Sequence, residues 1–211
     1  MTRKLLDLFC GGGGASFGYA QAGFAVHGVD LSPQPHYPFE YDQADALEYV
    51  RAYAYQYDVI HASPPCQRYS AMTCCRPGRS AVYPDLIEPT RAMLKKIGKP
   101  WIIENVVGAP LIHPIMLCGT MFGLPLYRHR LFESSMTLTA PPHPKHVIRG
   151  SRAGHYRPGE IISVCGNCTP IALARKAMGI DWMSRHELAE SIPPAYTHHL
   201  GLQIMDFLSR R

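Results

Sequence analysis

A chain of 211 residues fits a single domain and can bury a core without help from disulfides. Its hydrophobic fraction of 46% and charged fraction of 18% are those of an ordinary soluble globular protein, and no apolar run approaches the ~18–20 residues of a membrane span. The net charge of +5 is compatible with a polyanionic partner but does not by itself require one.

Seven cysteines is an odd number, and they are scattered rather than spaced as a framework, so they read as reduced thiols in a cytoplasmic protein. The opening MTRKLLDLF enters a strand directly, which predicts that no cleavable signal peptide precedes the fold.

Lys4 to Phe9 is a short apolar run that stops at four glycines, Gly11 to Gly14. A helix-like stretch, Ala15 to Ala22, follows, and a second apolar run, Ala25 to Val29, ends at Asp30. That order is strand, glycine turn, helix, strand, as in a βαβ unit. It repeats loosely with a helix over Ala44–Tyr55, a strand over Asp58–Ala62, a helix over Asp85–Ile97 and a buried strand over Pro100–Val106. Residues 134–170 are rich in proline, glycine, histidine and basic side chains, and predict an irregular excursion with one strand at Glu160–Val164. Helical patterns return at Arg185–Glu190 and Tyr196–Leu208. The alternation predicts an α/β fold: an open, mainly parallel sheet with helices on both faces.

Ligands of such sheets sit beyond the carboxyl ends of the strands, where four clusters of interest fall. DLFCGGGGASFG (7–18) is a glycine-rich turn that lets a ligand approach the main chain. Asp30 ends the next strand, where a carboxylate can accept from both ribose hydroxyls of a nucleoside. SPPCQRYS (63–70) presents Cys66 on a backbone stiffened by proline. A thiolate there needs an electropositive neighbourhood, which Arg68, Arg76 and Arg79 are placed to supply. Glu104 and Asn105 end the strand IIENV, and a carboxylic acid after such a run is desolvated, which raises its pKa and suits it to give a proton.

DLFCGGGG, PPCQ, ENV and the R-x-R of YRHRLF occur in the same order as in DNA cytosine-5 methyltransferases, which the chain resembles over roughly residues 4–133. It looks most like the compact members carried by bacteriophages. The resemblance implies a Rossmann-like class I fold dependent on S-adenosyl-L-methionine, with 1–133 as catalytic core, 134–170 as a short insert serving as a minimal target-recognition region, and 171–211 completing the catalytic domain. It implies that Cys66 attacks carbon 6 of a flipped-out cytosine, Glu104 contacts N3 and the exocyclic amine, and Arg130, with Arg128 beside it, holds O2. Phe9, Gly11, Gly12, Gly13, Gly14, Leu31, Ala46 and Pro65 would line the cofactor pocket, with Asp30 on the ribose and Asp45 on the adenine amino group. Gln67, Arg68, Ser70, Arg76 and Arg79 would meet duplex DNA, in a loop closing over the base. No membrane partner is expected.

The chain departs from the family pattern in three places. The insert after R-x-R is small, Leu126 and Tyr127 precede Arg128 where a glutamine-led motif is usual, and the closing motif reads AESIPPAY (189–196) with Glu190 in place of asparagine. In the family that closing segment packs against the cofactor.

HPKH (143–146) and CGNC (165–168) offer histidines and cysteines at zinc-like spacing, but His-x-x-His before Cys-x-x-Cys is not a standard zinc module. They are therefore assigned to the loop, and no metal ligand is predicted. Two other readings compete: an RNA or nucleotide cytosine methyltransferase, because the pocket reads the base rather than the polymer, and a catalytically silent module that binds S-adenosylmethionine or DNA. A dinucleotide oxidoreductase would share the glycine turn, yet leaves PPCQ unexplained.

Overall fold

The computed structural model describes residues 2–69, 83–152, 155–166, 168 and 170–210. The strands are β1 (Lys4–Leu8), β2 (Ala25–Asp30), β3 (Tyr41–Gln43), β4 (Val59–Ala62), β5 (Trp101–Asn105), β6 (Ile115–Leu117) and β7 (Arg130–Ser134). They form one sheet in the order β3-β2-β1-β4-β5-β7-β6. β1 to β5 run parallel, whereas β7 is antiparallel to both β5 and β6. The strand order reverses direction between β1 and β4, which opens a crevice beyond their carboxyl ends. Leu8 pairs with both Val29 and Ala62, and Ala62 with Ile103, so the segments leaving β1, β2, β4 and β5 start level with one another.

Each central strand is buried on both faces, and its side chains alternate between two cores. Leu5, Val59 and Ile102 face α1 (Gly14–Gln21) and α6 (Pro194–Ser209). Leu6, Leu8, Ile60 and Ile103 face the other side, where α2 (Ala46–Tyr53) and α3 (Ile87–Ile97) supply Ala46, Val50 and Leu94. Asp45 caps α2 by accepting from the amides of Leu47 and Glu48, both at 2.9 Å. Proline opens α6 at its first position, and Ser184 and Glu187 form a capping box at α5 (Arg185–Glu190).

The C-terminal side departs most from expectation. Glu160–Val164 is not a strand; it makes isolated bridges, Leu126 with Ile162 and Gly150 with Ile161. Its apolar residues serve a third core, in which Ile162, Val164 and Cys168 pack on Leu126, α4 (Ile171–Met178) and Leu188 of α5. The alternation in EIISV thus reflects burial against helices rather than strand pairing. No helix among the described residues is long and apolar enough to cross a membrane.

One buried ion pair joins the helical layer to the antiparallel edge. The Arg91 guanidinium of α3 grips the Glu133 carboxylate of β7 at 2.7 and 2.8 Å, and Glu133 also accepts from the amide of Ile112 at 2.8 Å. Both side chains are buried, so removing one partner strands the other charge. Arg91→Leu is expected to cost about 3–5 kcal/mol in urea unfolding, and adding Glu133→Leu to recover part of that loss. A single-variant cost below about 1 kcal/mol would contradict this account.

Candidate active site

β4 ends at Ala62, and the chain then turns through Pro64 and Pro65 to the half-buried Cys66. Asn105, fully buried at the end of β5, donates from Nδ2 to the Pro64 carbonyl at 2.8 Å. Its Oδ1 accepts from the amide of Val106 at 2.9 Å. The residue after Glu104 therefore fixes the backbone that carries Cys66. The sequence placed Asn105 at the strand end but gave it no role, because a bond to a carbonyl forty-one positions away leaves no local pattern.

Glu104 is buried beside Arg130, with Oε1 3.1 Å from Nε. The angle falls short of a hydrogen bond, so Oε1 is a buried acceptor with no hydrogen-bond partner in the described chain. A buried oxygen of this kind is costly unless a ligand completes it. Arg130 is anchored from the other side by donating Nη1 to the His129 carbonyl at 2.9 Å.

Arg128 behaves differently from its neighbour. Its guanidinium donates to the carbonyls of Val164 and Ala189, the latter at 2.6 Å, and so clamps the excursion to the end of α5. Burial, followed by the charge of Arg130, lowers its pKa to about 9. Tyr196 of the closing motif donates its hydroxyl to the Arg128 carbonyl at 2.6 Å.

Charges carried by other elements act on Cys66. Burial pushes its thiol above the ordinary cysteine range; Glu104 adds to this, Arg130 opposes it, Glu190 raises it further and Arg128 opposes. Both arginines of R-x-R thus act on this thiol, brought across from β7 and its approach. Arg68 donates Nη1 to the Tyr83 carbonyl at 3.3 Å. Ser70, Arg76 and Arg79, and with them most of the expected closing loop, lie outside the described residues.

The glycine turn is shaped by close packing as well as by open backbone. A Cβ at Gly12 would meet Met183 and Glu187, one at Gly13 would strike Tyr37 and Pro38, and one at Gly14 would lie 1.9 Å from Ser191 Oγ. These three glycines admit the closing helices and the segment after β2, while Gly11, at φ +49°, faces open space. Phe9 also has a positive φ of 58°, a strained conformation that side chains adopt where surrounding structure enforces it. Asp30 orders the turn by accepting from the amides of Gly11 at 3.0 Å and Ser32 at 2.9 Å.

S-adenosyl-L-methionine is the cofactor of this fold class, and the crevice fits it in three respects. Gly11 offers unobstructed backbone. Leu31, next to Asp30, leaves 70% of its surface bare, an apolar side chain open to a ligand. Asp45 uses Oδ1 for its cap and retains Oδ2 as an acceptor beside the buried Ala46. Pro65 and Gln67 flank Cys66, and a buried Gln67 oxygen lacks a hydrogen-bond partner in the described chain.

Comparison with known proteins agrees with this layout. No family model matches the chain. It is 27% identical over 195 residues to the type II methyltransferase M.AgeI of Thalassovita gelatinovora, covering 72% of this chain and 44% of that protein. The chain thus spans under half the length of the curated relative it matches. In structure it resembles a chain described as a DNA modification methyltransferase encoded within an E. coli prophage, with a TM-score of 0.69 at 14% identity over 99% of this chain and 100% of that one. The Entamoeba histolytica methyltransferase EhMeth and S. pombe Dnmt2 each align with a TM-score of 0.61, at 12% and 14% identity, over 99% of both chains. The fold is the Rossmann-like fold of class I S-adenosylmethionine-dependent methyltransferases. The sequence match is to a methyltransferase, as the motifs imply, and the structural neighbours show the same fold.

The charge balance at Cys66 is open to direct test. Iodoacetamide requires the thiolate, so Cys66 modification, followed by site-resolved mass spectrometry, should stay slow at neutral pH and rise only at alkaline pH. Glu104→Gln removes a raising charge and should speed alkylation at pH 8 several-fold; Arg130→Gln removes a lowering one and should slow it. Shifts in the same direction for both variants would refute the assigned balance.

Proposed function

We propose that this protein is a DNA cytosine-5 methyltransferase that works through a covalent adduct at Cys66. The observation that carries the proposal is the convergence of Cys66, Glu104 and Arg130 from β4, β5 and β7 on one crevice edge, with Glu104 Oε1 buried and unsatisfied. A cytosine ring placed there would complete Glu104 through N3 and the exocyclic amine, and Arg130 through O2.

Carbon 5 of cytosine is a poor nucleophile until a thiolate adds at carbon 6 and creates an enamine. Cys66 supplies that thiolate, its proton passing to the Glu104 carboxylate as the base enters. Glu104 holds the proton that neutralises N3 as negative charge develops there. S-adenosyl-L-methionine supplies the electrophilic methyl group when bound, held by Asp30, Asp45 and the backbone at Gly11. Loss of the carbon 5 proton and expulsion of Cys66 then restore the aromatic ring. The target carbon is inaccessible within a duplex, so the base must be flipped out. A groove in the excursion lined by Arg149, Arg152 and Arg157 adds basic surface for the phosphate backbone.

The test incubates the protein with tritiated-methyl S-adenosylmethionine and a duplex in which 5-fluorocytosine replaces cytosine. Fluorine cannot leave as the proton does, so a labelled adduct that survives denaturing gels is expected, and Cys66→Ser should abolish it. Absence of an adduct under conditions of measured cofactor binding would overturn the proposed chemistry. Labelling of RNA or dCMP but not duplex DNA would overturn the DNA assignment alone.

A further inference from the structure

The segment HPKH does not join CGNC in space. Cys168 is fully buried and its thiol donates to the Arg185 carbonyl at 3.5 Å, while Cys165 pairs with Ser163 at 3.1 Å. His143 and His146 instead reach back to the antiparallel edge of the sheet. There they meet Cys118, which follows β6, and His129, which stands between the two arginines ahead of β7.

One ligand atom from each of Cys118, His129, His143 and His146 lies within 4.8 Å of the other three. Cys118 Sγ is already 3.4 Å from His146 Nε2. Tetrahedral zinc, with Zn–N of about 2.0–2.1 Å and Zn–S of about 2.3 Å, separates its ligand atoms by about 3.3–3.6 Å. One contact thus has the required length, and the rest need only small side-chain adjustments. The ring centroids of the three histidines are 4.8, 5.0 and 5.4 Å apart, and no carboxylate takes part in the cluster. His129 and His143 find no hydrogen-bond partner for their ring nitrogens among the described residues. His146 is held in orientation by Tyr127, stacked at 3.7 Å and 13°, whose hydroxyl donates to the Ile148 carbonyl at 2.8 Å. Supporting ring contacts of this kind fix the direction of a ligand lone pair.

We propose that Cys118, His129, His143 and His146 form a structural zinc site that staples the excursion to the catalytic sheet. A borderline-soft ion suits one thiolate and three imidazoles, whereas magnesium and calcium demand oxygen donors. Four protein ligands fill a tetrahedron and leave no position for water, so the site is structural rather than catalytic. The spacing C-x10-H-x13-H-x2-H escapes sequence reading because the cysteine lies far upstream of the histidine pair and alone. The consequence is local: with His129 a ligand, the turn bearing Arg128 and Arg130 is tied at its centre.

The experiment is metal analysis of the intact chain, expressed with zinc available and dialysed exhaustively against metal-free buffer. One zinc per chain is expected, with none retained above background in Cys118→Ser or in His143→Ala, and full retention in Cys165→Ser. Chelation should lower the midpoint of thermal unfolding, and Co2+ should replace zinc with the intense visible bands of a tetrahedral site and a thiolate charge-transfer band. Because His143 is exposed, its variant should fold even where Cys118→Ser does not. A folded wild-type chain without stoichiometric zinc, zinc retained by folded His143→Ala, or zinc lost in folded Cys165→Ser would each overturn the proposal.

Discussion

The fold depends on a carboxylate that never meets water. Asp7 lies one residue before the end of β1 with no exposed surface, and an isolated charge there would cost several kcal/mol. It is satisfied by His61 Nδ1 of β4 at 2.8 Å and by the Ser16 hydroxyl of α1. Since Ser16 gives its proton to Asp7, the Tyr37 hydroxyl, 2.7 Å away, donates to Ser16. One side chain thereby binds the first turn of α1, the strand that leads to Cys66 and the segment that follows Asp30. β1 and β4 each end one residue beyond these anchors, so the relative position of the glycine turn and the nucleophile loop is set by the same node.

The parts legible in sequence were those with a periodic or compositional signature. β1, α1, β2, β4, α3 and β5 were recognisable because apolar runs stop at glycine, proline or acidic residues, and the motif residues fall where those runs end. β3 and β6 are three residues long, too short to express a period of two, and β7 was hidden inside a motif read for its arginines. The buried pairings Asp7–His61, Arg91–Glu133 and Asn105–Pro64 join residues forty or more positions apart, and nothing nearby announces them. At the nucleophile the influence of Arg130 on the Cys66 thiol has no local signature, because it is the sheet, bringing β7 against β5, that sets Arg130 at the pocket.

The closing segment explains both the glycines and its own departure from the family pattern. Gly14 and Gly18 are small because Ser191, the carbonyls of Ile192 and Pro194, and Thr197 occupy the space a Cβ would take. Thr197 donates to the Ala15 carbonyl at 2.8 Å, and Trp182 donates to the Gly12 carbonyl at 2.9 Å, so the C-terminal helices seal the turn from outside. Glu190, standing where asparagine is usual, acts on the field at Cys66. Its carboxylate, paired at 3.7 Å with His186, is largely exposed and adds to the burial that keeps the thiol protonated.

A half-buried thiol raised above the ordinary cysteine range is consistent with a nucleophile that is completed by its substrate. Under the proposed chemistry, the groups that must meet the base cannot relax to suit the empty crevice, or Glu104 and Arg130 would neutralise each other with ideal geometry. Their approach at 3.1 Å stops short of a hydrogen bond because each is restrained elsewhere: Glu104 by the pairing of β5 with β7, Arg130 by its bond to the His129 carbonyl. The R-x-R turn is restrained in turn by Arg128, clamped to Val164 and Ala189, and by Tyr196 on the Arg128 carbonyl. Such restraint leaves hydrogen-bonding capacity aimed into the site, and that capacity is what an entering ring would complete. The small excursion supplies one side of this frame through Val164 and, on the proposed metal site, the other through His143 and His146. Its size is therefore no measure of its role, since it fixes the turn that carries Arg130.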